Sequence, residues 1–514
     1  MFARYCRWLF VGPGHFRDAC RCLYTSSRTS SNINSGVAHV QINFLINKLG
    51  LPVAQAEEFV KGQKSQPDVS PERLDKALDM LLGLGFTLGE VQACPEVVLV
   101  KPATIQHRTL LLQEAGAPKV TPRCVVSYLV LARMRVTLLK AYGLIPPHVD
   151  VASSMLSHLG DGPGPLASPG EDATLAATQV AVLRHYLAWR LALAPHELER
   201  VMRTYTRVRN KSLRLISRTL AVLQDELGFS RDKIKNNGYL IHSHPDNTLR
   251  TLREVPHIRG VPFKDIVLLH PKIVMTPTDT LLTTLRYLEE FGIKDESVRR
   301  NPEVFTLGSE SVRARLEQIR TQPGLSGLQG HPRVLRLVQY IRKARKRLDT
   351  LQDLRVRCAS LHVLCGTQAR FEGYTRDGAD RTRGVDAVHY LSRALGCDGE
   401  DARARLRRHP YWYHVPLETI RQTCELLLGR GFCPRDVLRN VHLLLYSRER
   451  VLAELEGLGQ RPELRADVFL TATGGSEPSR SQQLALCLYF LEREHHFTGD
   501  GVWAGLPPAP LAAA

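Results

Sequence analysis

The sequence predicts an all-α fold, a solenoid of tandem helical repeats. Three observations predict it: a recurring Gly-hydrophobic pair, a turn residue ten positions beyond it, and helically spaced apolar residues leading to the next glycine. The glycines stand in Leu84-Gly85-Phe86, Leu227-Gly228-Phe229, Phe291-Gly292-Ile293 and Arg430-Gly431-Phe432. Each closes one apolar-periodic stretch just before another begins, which is the signal of a helix C-terminus.

Ten residues beyond these glycines lie Pro95, Gly238, Pro302 and Val441, so three of the four positions hold a helix breaker. Gly260 to Pro271 and Gly396 to Pro410 repeat the pattern at spacings of eleven and fourteen. Short apolar turns follow the breakers, as in Pro95-Glu-Val-Val-Leu, Pro271-Lys-Ile-Val-Met, Pro302-Glu-Val-Phe-Thr and Pro410-Tyr-Trp-Tyr. Beyond Pro271, Leu281, Leu285, Leu288 and Phe291 share one helical face, and Leu110, Leu111 and Leu112 begin a similar face after Pro102. The expected unit is a short helix, a turn and a longer helix. Such a pair cannot bury its apolar face alone, so neighbouring units must stack.

The chain has 514 residues, too many for one ordinary core, and 43% of them are hydrophobic, enough to fold. Eleven cysteines are scattered without a single C-x-x-C, which suggests neither a zinc ribbon nor a disulfide framework. No apolar run reaches the length of a membrane span. Residues 160–174, 366–384 and 473–481 read as loops, the first as an insertion.

Residues 1–36 carry Arg4, Arg7, Arg17, Arg21 and Arg28 against one acid, Asp18, with a Ser/Thr-rich run at 25–31. An Arg-rich, Ser-rich, acid-poor leader is the pattern of a mitochondrial presequence, whose charges respond to an inside-negative membrane potential. Its removal would lower the formal charge from +18 to +14, so the basic surplus belongs to the remainder. The expected organisation is a presequence at 1–36, a flanking segment at 37–75, a repeat array at 76–460 and a C-terminal extension at 461–514 with a disordered tail.

The unit Leu-Gly-Phe, nine-residue helix, x-x-Pro-x-hydrophobic-hydrophobic and long amphipathic helix resembles the repeat of the mitochondrial transcription termination factor (mTERF) family. The resemblance covers roughly residues 40–460, in about eight units. Those near 84–116, 260–292, 292–320 and 396–432 are clear; those around 117–210 and 320–385 are degenerate. Tyr489-Phe490-Leu491-Glu492 and His496 to Trp503 are similar to the long arthropod members. The resemblance implies a superhelical half-ring whose basic concave groove accommodates double-stranded nucleic acid in a mitochondrial matrix protein.

The basic residues are clustered. Arg200, Arg203, Arg207, Lys211, Arg214 and Arg218 recur every three or four residues and form a stripe if this stretch is one continuous helix. Arg333, Arg336, Arg342, Lys343, Arg345, Lys346 and Arg347, continuing to Arg355 and Arg357, form a second concentration. Arg376, Arg381 and Arg383 decorate a Gly-rich loop. Such clusters can follow a phosphate backbone, with counterion release. The expected partner is double-stranded DNA, or structured RNA in ribosome assembly, or another mTERF-family protein or the mitochondrial transcription machinery.

Other motifs carry less. His242-Ser-His244 and Glu494-His495-His496 lack a partner at zinc-site spacing. Gly324-x-x-Gly327-x-x-Gly330 has neither a preceding strand nor a following Gly-Lys-Ser/Thr and is no phosphate-binding fingerprint. Tyr411-Trp412-Tyr413 occupies a turn where other repeats place core residues. No acid/base pair, nucleophile arrangement or nucleotide loop suggests an enzyme, and no cofactor, metal or small-molecule substrate is expected.

Overall fold

A computed structural model describes residues 35–62, 70–159, 162–166, 170, 172–376, 380–461 and 479–495. The proposed presequence and the tail beyond residue 495 lie outside them. The chain divides into two compact units, Met1–Arg250 and Thr251–Ala514. Each is a stack of helices. The only sheet among the described residues is the hairpin of His257–Ile258 with Val261–Pro262.

In the first unit, α1 (Ser35–Asn47) packs on α2 (Val53–Lys61), followed by α3 (Pro71–Gly83), α4 (Leu88–Gln92) and α5 (Pro102–Glu114). Pro71 opens α3 where its missing N–H is harmless, and Leu74, Ala77, Leu78 and Leu81 form its buried face at helical spacing. Gly85, at φ +90°, ends the helix. Its N–H reaches the Leu82 carbonyl at 3.0 Å, and the Phe86 N–H reaches Leu81 at 3.1 Å. This is a Schellman cap, with Phe86 buried as the accompanying hydrophobic contact. Thr87 and Glu90 then form a capping box that starts α4.

The apolar turn after Pro95 is a five-residue 3-10 helix, Pro95–Leu99, that buries Val97 and Val98. The same element recurs at Gly238–His242, Pro271–Met275, Pro302–Thr306 and Val441–Leu445. Further along this unit lie α6 (Pro195–Thr204) and α7 (Leu213–Ala221). The flanking segment joins the core: Leu45, Leu49, Ala56 and Val60 cluster with Leu74, Leu81 and Ile105.

The second unit shows the repeat in its clearest form. Within it α8 (Thr278–Glu290) leads through Gly292 to α9 (Asp295–Arg300), the 3-10 turn Pro302–Thr306 and α10 (Ser309–Thr321). Leu281 and Leu288 on α8 are fully buried, each worth roughly 1.5–3 kcal/mol against exposure. The Thr276 hydroxyl donates to the Phe305 carbonyl at 2.8 Å and so ties two successive turns.

Next come α11 (Val334–Asp353), α12 (Leu361–Cys365), α13 (Gln368–Arg376), α14 (Gly384–Leu395), α15 (Pro434–Arg439), α16 (Arg448–Gly457) and α17 (Arg480–His495). α11 is kinked at Tyr340, whose φ and ψ of −106° and 22° are non-helical. The stretch 366–384, expected as a loop, contains α13. The helical stack continues past residue 460, since α17 packs on α15 and α16 and buries Leu484, Cys487, Phe490 and Leu491.

Candidate nucleic-acid interface

The stripe from Arg200 to Arg218 is not one helix. α6 stops at Tyr205, Thr206–Asn210 is a 3-10 helix, and Lys211 is extended before Ser212 caps α7. The expected single face is therefore corrected: Arg203 stands on α6, Arg207 on the 3-10 turn, and Arg214 and Arg218 on α7.

Lys211 turns inward. Its Nζ donates to the Ile241 carbonyl at 3.0 Å, and burial lowers its pKa to about 8. Arg218 pairs with Asp246 at 2.6 Å, and Arg214 lies 3.1 Å from Nδ1 of His158. The start of α7 is fixed by Glu114, whose carboxylate accepts from the Ser212 hydroxyl at 2.5 Å and from the Leu213 and Arg214 amides at 2.9 and 3.0 Å. Burial pushes this carboxyl up, and those donors pull the other way. Arg203 and Arg207 remain exposed and form no ion pair among the described residues.

On α11 the basic run is split between two roles. Arg347 is 4% exposed, and its guanidinium donates to the carbonyls of Val363 (2.8 Å), Leu364 (3.2 Å), Gly366 (3.0 Å) and Thr367 (2.9 Å). It also stacks 4.6 Å from the Phe371 ring centroid. Lys343 Nζ donates to the same Gly366 carbonyl at 2.5 Å. These two cations satisfy the orphan carbonyls ending α12, where the helix dipole favours positive charge. Their expected place on an open surface is corrected accordingly. Arg342, Arg345 and Lys346 are exposed, with Arg345 facing the Gln318 side-chain amide.

Arg355 and Arg357 of this concentration and Arg381 of the Gly-rich stretch are scattered. Arg355 is exposed at φ +57° just past α11, Arg357 lies 3.8 Å from Asp380, and Arg381 sits over the Tyr413 ring at 5.5 Å.

Arg333, Arg336 and Arg383 converge with Arg300 and Arg370 around a cavity of about 240 Å³. Four elements supply them: α9 and α11 with its entry, α13, and the start of α14. Arg300 is paired with Glu296 at 2.6 Å, whereas the other four make no ion pair among the described residues. The one carboxylate in the wall, Asp386, is 3% exposed; it accepts the Leu361 amide at 3.1 Å and lies 3.4 Å from His331 Nε2. Burial, then Arg383 and Arg370, lower the pKa of His362, while burial and His331 lower that of His389. Sequence reading missed Arg300 and Arg370, which no local pattern connects to residues 333–383. Only the fold assembles them.

A comparison with curated proteins supplies a relative. Over 429 residues the chain is 38% identical to "Transcription termination factor 5, mitochondrial" of Drosophila melanogaster, covering 83% of this chain and 76% of that protein. The chain belongs to the mitochondrial transcription termination factor family. No family profile and no solved structure matches it.

With the mTERF family comes its helical-repeat solenoid, whose units are those described above, and a mitochondrial location. No helix among the described residues is long and apolar enough to cross a membrane. In this mTERF protein His242 and His244 are part-buried beside Lys211, and both have pKa values lowered, first by burial. No group of three or more candidate metal ligands occurs among the described residues; the side chains of Glu494, His495 and His496 are not among them.

Tyr411, Trp412 and Tyr413, expected in the core, are only half-buried. Their 3-10 turn, Trp412–His414, is three residues long instead of five and buries none of its side chains. Trp412 instead covers Gly384, where an added Cβ would lie 2.3 Å from the indole ring.

Proposed function

We propose that this mTERF protein binds nucleic acid through its exposed arginines and lysines, double-stranded DNA in the first place, and regulates mitochondrial transcription by occupancy. A protein held on a duplex by many phosphate contacts obstructs a polymerase without hydrolysing anything, and termination is the expected consequence. The observation that carries this reading is the set of exposed cations without ion-pair partners: Arg203 and Arg207 in the first unit, and Arg333, Arg336, Arg342, Arg345, Lys346 and Arg383 in the second. Cations already neutralised by neighbouring acids would release few counterions on binding. These form no ion pair among the described residues.

The test is duplex binding at fixed salt with Arg342, Arg345 and Lys346 changed together to Gln. The expected result is at least a tenfold loss of affinity with an unchanged melting temperature. Unaltered affinity would remove the outer face of α11 from the interface. Crosslinking in mitochondria addresses the choice of nucleic acid: recovery of promoter or terminator DNA supports the proposal, and recovery of ribosomal RNA alone overturns its DNA half.

A further inference from the structure

The cavity bounded by Arg333, Arg336, Arg370 and Arg383 holds more positive charge than a duplex backbone calls for. An internal phosphodiester bears one negative charge and is flanked by sugars on both sides. Here four guanidiniums that form no ion pair among the described residues line one recess, and the fifth, Arg300, is already matched by Glu296. Asp386, which accepts the Leu361 amide and lies 3.4 Å from His331 Nε2, offsets one of these charges, so four guanidiniums against one carboxylate leave a surplus of about three. A surplus of this size suits a small, densely charged anion. Guanidinium forks suit phosphate oxygens in particular, since each fork can make two parallel hydrogen bonds.

Size points the same way. At about 240 Å³ the cavity lies below the roughly 300 Å³ at which pockets begin to hold drug-sized molecules. A neighbouring recess of about 430 Å³ is lined by Arg300, Asn301, Arg333 and Arg336 and shares three arginines with it. The two recesses adjoin at these arginines, so a charged head held in the first leaves room beside it for what is attached. His362 and His389, held below the ordinary imidazole range, add neutral hydrogen-bonding groups to the wall.

We propose that this cavity is a receptor for a terminal polyphosphate group, carried either by a free nucleoside triphosphate or by the 5′ end of an RNA. The proposal deepens the nucleic-acid reading by naming an end group that the protein recognises, but its test needs no duplex, so either can fail alone.

The experiment is calorimetric titration of the full chain with inorganic tripolyphosphate, inorganic phosphate, ATP, and one short RNA bearing either a 5′-triphosphate or a 5′-hydroxyl. Tripolyphosphate is expected to bind with one-to-one stoichiometry at least tenfold more tightly than phosphate. Arg336→Ala with Arg383→Ala should abolish that preference, and Arg448→Ala, which removes a charge from α16, should leave it intact. Should the double variant fail to fold, Val385→Glu tests the same point, because Val385 lines the cavity and is 38% exposed. A triphosphate RNA binding more tightly than ATP assigns the site to RNA ends, and equal affinities assign it to free nucleotide. Tripolyphosphate binding that is no tighter than phosphate, or that survives both Arg336→Ala/Arg383→Ala and Val385→Glu, overturns the proposal.

Discussion

The Arg347 guanidinium donates to the Gly366 carbonyl at 3.0 Å from a position that is 4% exposed, and three more carbonyls surround the same side chain. Arg347 thus acts as a cap delivered to α12 from another helix. Replacing it by Ala strands those carbonyls in a dry setting, at an expected cost of about 2–4 kcal/mol. Chemical denaturation should show this loss. Arg347→Lys should recover little of it, because one ammonium cannot reproduce the fork.

Lys211 and its exposed neighbours should separate in a binding assay. Lys211→Met leaves the salt dependence of nucleic-acid binding unchanged, because its Nζ is committed to the Ile241 carbonyl. Arg203→Gln with Arg207→Gln should flatten the slope of log K against log salt by up to about 1.8, two phosphate contacts at roughly 0.9 each.

Gly292 sits at φ +63° with open space where a Cβ would point. Gly292→Ala therefore meets no neighbour but must hold a left-handed backbone, an expected cost of about 1–2 kcal/mol. Gly292→Asn should cost less, since Asn tolerates that region. A larger loss for Asn than for Ala would contradict the conformational explanation.

Glu492 is 7% exposed, its Oε1 has no hydrogen-bond partner among the described residues, and burial raises its pKa to about 6. The folded chain holds this proton more tightly than the unfolded one. The contribution of this one group to stability is therefore fully present below the unfolded value near 4.5 and is lost as pH rises through about 6. Glu492→Gln should raise the melting temperature at pH 8 and change it little at pH 4.5. Equal effects at both pH values would show that the carboxyl is already solvated in the fold.

The repeat was readable in the sequence because its signals are local. A left-handed glycine, its buried hydrophobic successor and a breaker ten residues on are all fixed by backbone geometry, and Gly85, Gly292 and Gly431 adopt that geometry. The candidate interface was less readable because charge patterns do not report direction. Arg342 and Lys343 are adjacent in sequence, yet one is exposed and the other donates to the Gly366 carbonyl. The stripe through Lys211 failed for a related reason: spacing of three and four implies one face only while the helix continues, and Tyr205 ends it. Arg300 and Arg370 reach the cavity through tertiary packing, which leaves no trace in spacing.

The most direct test of the central claim is the affinity of the full chain for duplex DNA measured across a salt series. Contact by the six exposed cations of the second unit named above predicts a slope of log K against log salt near −5 or steeper, six neutralised phosphates at roughly 0.9 each. A slope near zero, or no binding at low salt, would contradict it.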